Sequence, residues 1–526
     1  MPWARCTHSG HLATAHRCQS HVNDGEADFM SDLINHLLVQ ELKRTGLPEQ
    51  LEPVISRLFA NIKNGHTALQ LSALDTQVLS DSHFATTDAG QQLLCLTNNR
   101  LQLARHAAQE QRVARALMRR VASLTPSKVD AKTIMPAADR SQLDAIEGAS
   151  QRAFAMILGG PGTGKTTTAA ALVSALCLRH PSPHPRIALL APTGKAAVRL
   201  TSAFHAALSR AAPNPKIPSD ILATTVHRQL DSLGARDIVL VDEASMISLD
   251  LMDRLLRQLN PAATLILMGD PHQLASVEAG SVFATLAQTP ALKTSQFQLT
   301  HRHRIAAATE LKTLQDSCLA GDVAGFFEAV EATHTPWFQA TEIDRLKTAV
   351  VDGYKTYFNH LSQSNELAEP DFQVLTSIAS GQGGRHSINA WMTDALREHG
   401  LQGVGQRILV TENQDTLGLS NGDIGTVLDP ITAIDRRVAF PHRTEFVNLA
   451  QVTAPEPAFA ISIHRAQGSE YSDVLVSLPE VPSMSPFQPT RELLYTALTR
   501  AKRSVSLFGS RQMLTNAIQT STRRFT

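Results

Sequence analysis

The sequence lacks an excess of either charge. Its 526 residues contain 48 Lys and Arg and 48 Asp and Glu, so the formal net charge is zero. This balance excludes histone-like basic proteins and acidic tail proteins, although a basic groove for nucleic acid can still lie on a neutral molecule. Apolar residues make up 43% and charged residues 18%. A chain of this length can therefore bury a sizeable core, which excludes wholesale disorder.

Cysteines and long apolar runs are also scarce. Five cysteines in 526 residues cannot form a disulfide framework, and their number fits the reducing cytosol. No uninterrupted apolar run approaches the ~18 residues that span a bilayer. We therefore expect a cytoplasmic protein with no membrane partner.

Residues 1–29 are rich in His, Ser and small residues and show no periodicity. They lack the apolar core of a secretory signal, so we expect a disordered extension, and a start at Met30 would be more natural. Cys6, His8, Cys18 and His21 do not have the spacing of a standard zinc module, which argues against a metal site.

The sequence pattern of the remaining chain changes from helical to α/β near residue 126. Residues 30–125 show a helical pattern, with Leu93, Leu94, Leu96, Leu101 and Leu103 as its later apolar clusters, and predict a helical partner-docking domain that ends at the linker Thr125–Ser127. Beyond it, four apolar runs alternate with amphipathic stretches, which indicates α/β domains with buried parallel strands. The four predicted strands are Ala153–Leu158, Ile187–Leu190, Ile238–Val241 and Thr264–Met268. We place the first domain at residues 126–297, the second at 298–526, and a small β-rich insertion in the second at about 400–455.

The most specific local motif lies between the apolar run Ala153–Leu158 and the helical pattern Ala169–Leu178. It matches G-x-x-x-x-G-K-[ST] in the strand–loop–helix context that the motif requires. Its glycines let backbone N–H groups surround phosphate oxygens, and the start of the helix adds partial positive charge. The predicted phosphate site consists of Gly159, Gly160, Pro161, Gly162, Thr163, Gly164, Lys165, Thr166 and Thr167.

Two acids complete this site at the end of another apolar run, Ile238–Val241. Lys165 is predicted to reach the β- and γ-phosphates, Asp242 and the Thr166 hydroxyl to bind Mg²⁺, and Glu243 to orient or deprotonate the attacking water. Parallel strands end at the same edge of a sheet, where ligands bind, so these segments are expected to meet. Together they predict a nucleoside triphosphatase that uses ATP and Mg²⁺.

Further segments extend the pattern beyond an ATP site: Ala191–Lys195, Thr224–Arg228, Asp242–Ile247, Leu267–Gly280, Arg304, Asn421–Gly425, Ile463–Tyr471 and Arg491–Lys502. In their order along the chain and in their residues, these segments resemble the motifs of superfamily 1 helicases. Among these helicases they resemble most closely the RecD-type subunits of exodeoxyribonuclease V. The resemblance spans roughly residues 130–510. It implies two tandem RecA-like P-loop motor domains with parallel sheets that bind ATP between them.

The resemblance also implies roles for single residues. Gln142 is similar to a glutamine that reads adenine, and Gln273 to a sensor of the γ-phosphate. Arg304 and Arg500 are similar to two arginines that the second motor domain presents to the γ-phosphate, with Arg302 as the alternative to Arg304. The positions that the resemblance places along a single DNA strand are Pro192, Thr193, Thr225, His227, His464 and Gln467.

The implied activity is that of an ATP-dependent 5′-to-3′ DNA helicase in a RecBCD-like nuclease, which acts on single-stranded DNA and duplex ends in bacterial break repair and recombination. RecB-like and RecC-like subunits would complete a heterotrimer. We find no constellation of acids and lysine typical of a nuclease, so that activity is expected on a partner.

Two segments depart from the family's pattern. The stretch from His227 to Asp242 is short where the family often carries an insertion, so a strand-separating element there is expected to be reduced. The family's His-Lys-Ser-Gln-Gly reads His-Arg-Ala-Gln-Gly over residues 464–468, and Arg465 keeps the charge but not the geometry of lysine. Glu470 matches the acid of the same motif, but the resemblance assigns it no role.

Two alternatives stay open, the stand-alone helicase and the inactive subunit, whereas a relaxase is excluded. A stand-alone RecD-like helicase usually carries a longer N-terminal region than 526 residues allow. A conjugative relaxase needs a domain with a tyrosine nucleophile, and the first of only four tyrosines is Tyr354. A structural subunit with an inactive ATPase conflicts with the intact Lys165, Asp242 and Glu243.

Overall fold

The computed structural model describes residues 40, 42, 44, 47–63, 65–82, 85–86, 93–123, 129–211, 214–276, 278–301, 308–363, 370–441, 443–482 and 487–521. The predictions for residues 1–29, for the linker Thr125–Ser127 and for Arg302 and Arg304 lie outside these residues. The described chain divides into two compact units, of which the first takes the residues up to Gln111 together with 278–280 and the second takes the others.

The first unit combines helices with a sheet. Its elements are α1 Glu52–Lys63, β1 Ala68–Gln70, α2 Ala73–Ser80, β2 Ala85–Thr86, β3 Leu94–Thr97, β4 Arg100–Leu103 and the beginning of α3 Ala104–Val121. Helices are present among the described residues of this unit, and a four-stranded sheet in the order β1-β4-β3-β2 accompanies them. This sheet was not predicted from the sequence.

The leucines near residues 94–103 therefore belong to strands, and their interpretation as helical clusters was wrong. Leu94 and Leu96, like Leu101 and Leu103, are two residues apart, which is the period of a strand. Asn98 and Asn99 have φ angles of 51° and 60° and join the two strands in a two-residue hairpin. Asparagine tolerates this left-handed backbone better than most residues.

The first α/β domain of the second unit contains a six-stranded parallel sheet, which confirms the four predicted strands. The elements after α3 are α4 Ala131–Ile134, α5 Arg140–Ser150, β5 Phe154–Leu158, α6 Lys165–Arg179, β6 Ile187–Ala191, α7 Gly194–Leu208, β7 Ala223–Thr225, α8 Val226–Gln229, β8 Ile238–Val241, α9 Leu249–Gln258, β9 Thr264–Gly269, α10 Val282–Gln288 and β10 Gln296–Gln298. The strand order is β10-β5-β9-β8-β6-β7.

Both faces of the four central strands of this sheet are buried, which explains their continuous apolar runs. Met156 and Leu158 of β5 pack into one hydrophobic cluster, whereas Ala155 and Ile157 pack into the cluster on the opposite face. Burial of both faces requires apolar residues at every position of a strand, not at alternate ones.

The second α/β domain contains a five-stranded parallel sheet in the order β11-β20-β19-β12-β18. Its elements are α11 Ala308–Ala320, α12 Val323–Ala332, β11 Trp337–Phe338, α13 Ile343–Gly353, α14 Lys355–Gln363, β12 Phe372–Thr376, α15 Arg385–Glu398, β13 Arg407–Leu409, β14 Ile424–Val427, β15 Arg437–Ala439, β16 Val447–Asn448, β17 Glu456–Pro457, β18 Ala460–Ser462, β19 Tyr471–Ser477, α16 Arg491–Leu498, β20 Ala501–Phe508 and α17 Arg511–Gln519. Strands β13 to β17 form a separate antiparallel sheet in the order β16-β15-β14-β13-β17, which confirms the predicted insertion. It has its own small core, which includes Val410, Val427 and Val438.

Candidate functional site

The phosphate loop connects β5 to α6 at the carboxyl edge of the first sheet. Gly162 and Gly164 have φ angles of 75° and 80°, a region that glycine occupies without strain. Lys165 begins α6, and its Nζ donates hydrogen bonds to the carbonyl oxygens of Gly159 at 2.8 Å and Gly160 at 3.0 Å. The lysine charge is therefore held over the loop, where phosphate oxygens would be the stronger acceptors.

The two acids lie at the end of β8 on the same edge. Withdrawal from solvent, and then the neighbouring Glu243, raises the pKa of Asp242 to about 6, and Lys165 opposes the rise. Asp242 accepts a hydrogen bond from the Glu243 backbone N–H at 2.8 Å. Glu243 itself has a φ of 49°, and such backbone strain in a non-glycine residue is typical of functional sites. The Asp242 carboxylate and the Thr166 hydroxyl are oxygen donors, the kind that Mg²⁺ prefers.

A buried arginine from the second α/β domain completes this arrangement. Arg500 is 2% exposed. Its Nη2 donates to the Gln273 side-chain oxygen at 2.8 Å, and its Nε donates to the Thr496 carbonyl at 3.1 Å. Burial lowers the pKa of Arg500, and the Glu243 and Glu470 carboxylates oppose this shift. The predicted sensor of the first domain is thus bonded directly to the predicted catalytic arginine of the second.

Gln142 lies at the start of α5, where it forms a capping box with Asp139. The Gln142 side-chain oxygen accepts a hydrogen bond from the Asp139 backbone N–H at 3.1 Å, and the Asp139 carboxylate accepts one from the Gln142 N–H at 3.1 Å. The contact fixes the side chain of this buried residue at the helix terminus. The adenine-reading role of Gln142 stays a prediction.

The residues predicted to follow a DNA strand lie in two groups. Pro192 and Thr193 follow β6, and Thr225 and His227 lie at the end of the adjacent β7 and in α8, so paired parallel strands bring these four to one edge. Thr193 and Thr225 also cap the helices α7 and α8 through their hydroxyl oxygens. His464 belongs to the second group and is half-buried.

Gln467, the other member of the second group, is turned toward the first domain. It is 8% exposed, and its amide donates a hydrogen bond to the Leu274 carbonyl at 2.6 Å. The structure therefore places the Gln467 amide against the sensor segment. Its predicted DNA contact stays a prediction.

Arg465, which replaces the family's lysine, forms an ion pair with Glu456. The Arg465 guanidinium binds the Glu456 carboxylate through both terminal nitrogens, and Arg385 binds the same carboxylate. A planar fork can make both bonds at once, which an ammonium group cannot reproduce.

Comparisons with known proteins agree with this geometry. A model of the AAA domain matches residues 137–336, and a model of the UvrD-like helicase C-terminal domain matches residues 457–508. The RecBCD enzyme subunit RecD of Mycobacterium tuberculosis is 33% identical over 454 residues, which cover 80% of this chain and 77% of that protein. The chain belongs to the RecD family. It is accordingly an ATP-hydrolysing DNA helicase of superfamily 1, as the resemblance in the sequence implied.

The comparisons also include a helicase of another name and a solved structure. The ATP-dependent RecD2 DNA helicase of Deinococcus radiodurans is 31% identical over 391 residues, which cover 69% of this chain but 47% of that protein. A solved structure of two coordinating Pif1 helicases at forked duplex DNA has a TM-score of 0.41 at 16% identity, and covers 72% of this chain and 94% of that chain. Among the described residues of this RecD-family chain, no helix is long and apolar enough to cross a membrane.

Two contacts between the domains were not predicted from the sequence. The Tyr495 hydroxyl donates to the Asp270 carboxylate at 3.1 Å, and the Leu274 N–H donates to the Thr496 hydroxyl at 2.8 Å. Thr496 lies four residues before Arg500, and its carbonyl oxygen accepts the hydrogen bond from the Arg500 Nε. These bonds hold residues 270–274 of the RecD-family site against α16.

We expect Thr496→Val to lower kcat for ATP about ten-fold and to leave KM nearly unchanged. The substitution keeps the shape of the side chain but leaves the buried Leu274 N–H unpaired, at a cost of about 1–3 kcal/mol. Steady-state ATPase assays would measure the effect, with exposed Thr348→Val on α13 as the matched control. An unchanged kcat would contradict a role for this bond in holding Arg500 at Gln273.

Proposed function

We propose that the chain is the 5′-to-3′ motor subunit of a RecBCD-like exodeoxyribonuclease V that processes duplex ends in the bacterial cytoplasm during break repair and recombination. The observation that carries the proposal is the bond between Arg500 and Gln273, at the edge where Lys165 and the two acids lie. A motor needs its second domain to respond to the γ-phosphate bound by its first. This bond joins the two predicted γ-phosphate contacts.

The ATP site would work by positioning charge. Lys165 binds the β- and γ-phosphates, Glu243 orients the attacking water, and Arg500 stabilises charge that develops on the transferred phosphoryl group. Thr166 and Asp242 would hold Mg²⁺, and the ion would supply positive charge against the phosphates. Gln142 reads the adenine, and Arg304 is the proposed second arginine.

The DNA strand would lie across both motor domains. Pro192, Thr193, Thr225 and His227 contact it from the first domain, and His464 and Gln467 contact it from the second. Contacts of this kind reach phosphates and stacked bases with little sequence preference. Closure of the ATP cleft and its reopening after hydrolysis move the two groups relative to one another, so the strand is gripped alternately.

The proposed partners are RecB-like and RecC-like subunits, and the domain at residues 30–125 would dock on them. The 33% identity over 454 residues with the mycobacterial RecD subunit supports a subunit of such a complex. The 31% identity with RecD2 supports a stand-alone RecD-like helicase as the second candidate. A structural subunit with an inactive ATPase is the third, and the intact phosphate loop opposes it.

Strand polarity and assembly test this proposal together. We expect the purified chain, or its complex with co-expressed partner subunits, to unwind a duplex that carries a 5′ single-stranded overhang. The partner motor would be inactivated in the complex so that unwinding reports this chain alone. Lys165→Gln serves as the inactive control. Unwinding that starts only from 3′ overhangs, and that the Lys165→Gln variant retains, would refute the proposal.

A further inference from the structure

Arg199, on α7 of the first domain, contacts the loop that follows β18 in the second domain. Its Nη2 lies 2.8 Å from the Glu470 carboxylate, and its Nη1 donates to the Gly468 carbonyl at 3.1 Å. The Arg199 side chain is 44% exposed and that of Glu470 is 12% exposed. Two bonds from one guanidinium fix direction as well as distance, so this contact is sensitive to relative motion of the two domains.

The same arginine also lies within the electrostatic field of the catalytic acids. Burial would lower the pKa of Arg199, but the carboxylates of Glu470, Glu243 and Asp242 together raise it above its ordinary value. Glu243 and Glu470 act likewise on Arg500. Arg199 and Arg500, one from each motor domain, therefore both interact electrostatically with Glu243 and Glu470. Movement of either arginine changes the electrostatic field at Glu243.

Both partners of the ion pair belong to segments that are proposed to hold DNA. Thr193 caps α7, and Arg199 lies six residues further on, at a distance of about 9 Å along a helix that rises ~1.5 Å per residue. His464 and Gln467 lie in the same loop as Glu470. A strand that binds both segments fixes α7 relative to this loop, and the ion pair lies directly between them.

We propose that Arg199 is a positioning residue that, through Glu470, makes ATP turnover respond to the bound DNA strand. The inference rests on the proposed DNA contacts of α7 and of the loop at residues 463–470. The bond holds the two segments in the arrangement in which Arg500 faces the acids of the first domain. A structural ion pair without this role would affect folding but not the response to DNA.

A double-mutant cycle tests the pair. ATP turnover would be measured with and without saturating oligo-deoxythymidine for the wild type, Arg199→Ala, Glu470→Gln and the double variant. We expect each single substitution to lower the stimulation by DNA about ten-fold and the double variant to lose no more than either single one. Arg199→Lys, which keeps the charge but only one of the two bonds, should lie between wild type and Arg199→Ala. KM for ATP should change less than kcat.

Arg254→Ala is the matched control, because Arg254 forms an exposed ion pair with Asp250 within α9. Thermal unfolding of every variant separates loss of fold from loss of coupling. Stimulation that stays at the wild-type level, or single effects that multiply in the double variant, would overturn the inference. A wild-type enzyme that DNA does not stimulate would instead refute the proposed function.

Discussion

Lys165→Gln is expected to reduce ATP hydrolysis by about 10³-fold or more, because it removes the positive charge that binds the β- and γ-phosphates. The Lys165 Nζ lies over the loop at 2.8 Å and 3.0 Å from two carbonyl oxygens, so it is already positioned at the start of α6. Glutamine can still donate a hydrogen bond there but carries no charge. Single-turnover hydrolysis with excess enzyme would measure the loss.

Lys312→Gln is the matched control, since it removes one exposed lysine charge from α11 and changes the net charge equally. It should retain wild-type turnover. Both variants should unfold at the same temperature as the wild type, because Lys165 contacts only loop carbonyls among the hydrogen bonds described above. Retained ATP turnover in the Lys165→Gln variant would refute the assignment of the phosphate site.

Arg500→Ala is expected to lower kcat for ATP by about 10³-fold while nucleotide affinity changes only a few-fold. An arginine that stabilises charge on the transferred phosphoryl group acts mainly in the transition state, and such groups are worth about 10³-fold or more. Arg500 also donates to Gln273, Thr496 and Ser469. The substitution therefore removes the bond from the second domain to the predicted sensor as well as the charge.

Binding of a fluorescent ATP analogue would measure the change in nucleotide affinity, and steady-state kinetics would measure the change in kcat. The control is Arg503→Ala, on β20 and three residues after Arg500. It removes an exposed guanidinium that pairs with Asp473 and should leave nucleotide affinity and kcat unchanged. A loss of binding as large as the loss of turnover would contradict a transition-state role for Arg500. Because Arg500 is buried, its variant must also pass a thermal unfolding test.

The parts of the site that could be predicted from the sequence are those with local signals. The phosphate loop needs glycines at positions of positive φ, and the motif itself shows these glycines. The two acids directly follow a buried strand, which the apolar run shows. Burial of both faces makes the four central strands of the first sheet uniformly apolar, so these four were predicted correctly. The strand edge then follows from the parallel topology.

The contacts between domains could not be predicted, because they join residues that are far apart in sequence. Arg199 meets Glu470 and Tyr495 meets Asp270 only after both sheets have formed and faced each other. Nothing in the residues around Arg199 distinguishes it from a solvated helix position. The same limit applies to the bond from the Gln467 amide to the Leu274 carbonyl, which joins residues far apart in sequence.

The missed N-terminal sheet has a different cause. Its described strands are only two to four residues long, too short for a period of two to stand out among leucines. The Asn98-Asn99 pair was the one local indication of a hairpin, because two successive residues with positive φ are rare outside such turns. A search for two-residue turns would have found it.

ATP hydrolysis by the purified chain, with and without single-stranded DNA, tests the central claim most directly. We expect turnover that single-stranded DNA stimulates strongly and that Lys165→Gln abolishes, either for the chain alone or after co-expression with the partner nuclease subunits. Absence of hydrolysis in both preparations would contradict it and leave a structural subunit as the remaining interpretation.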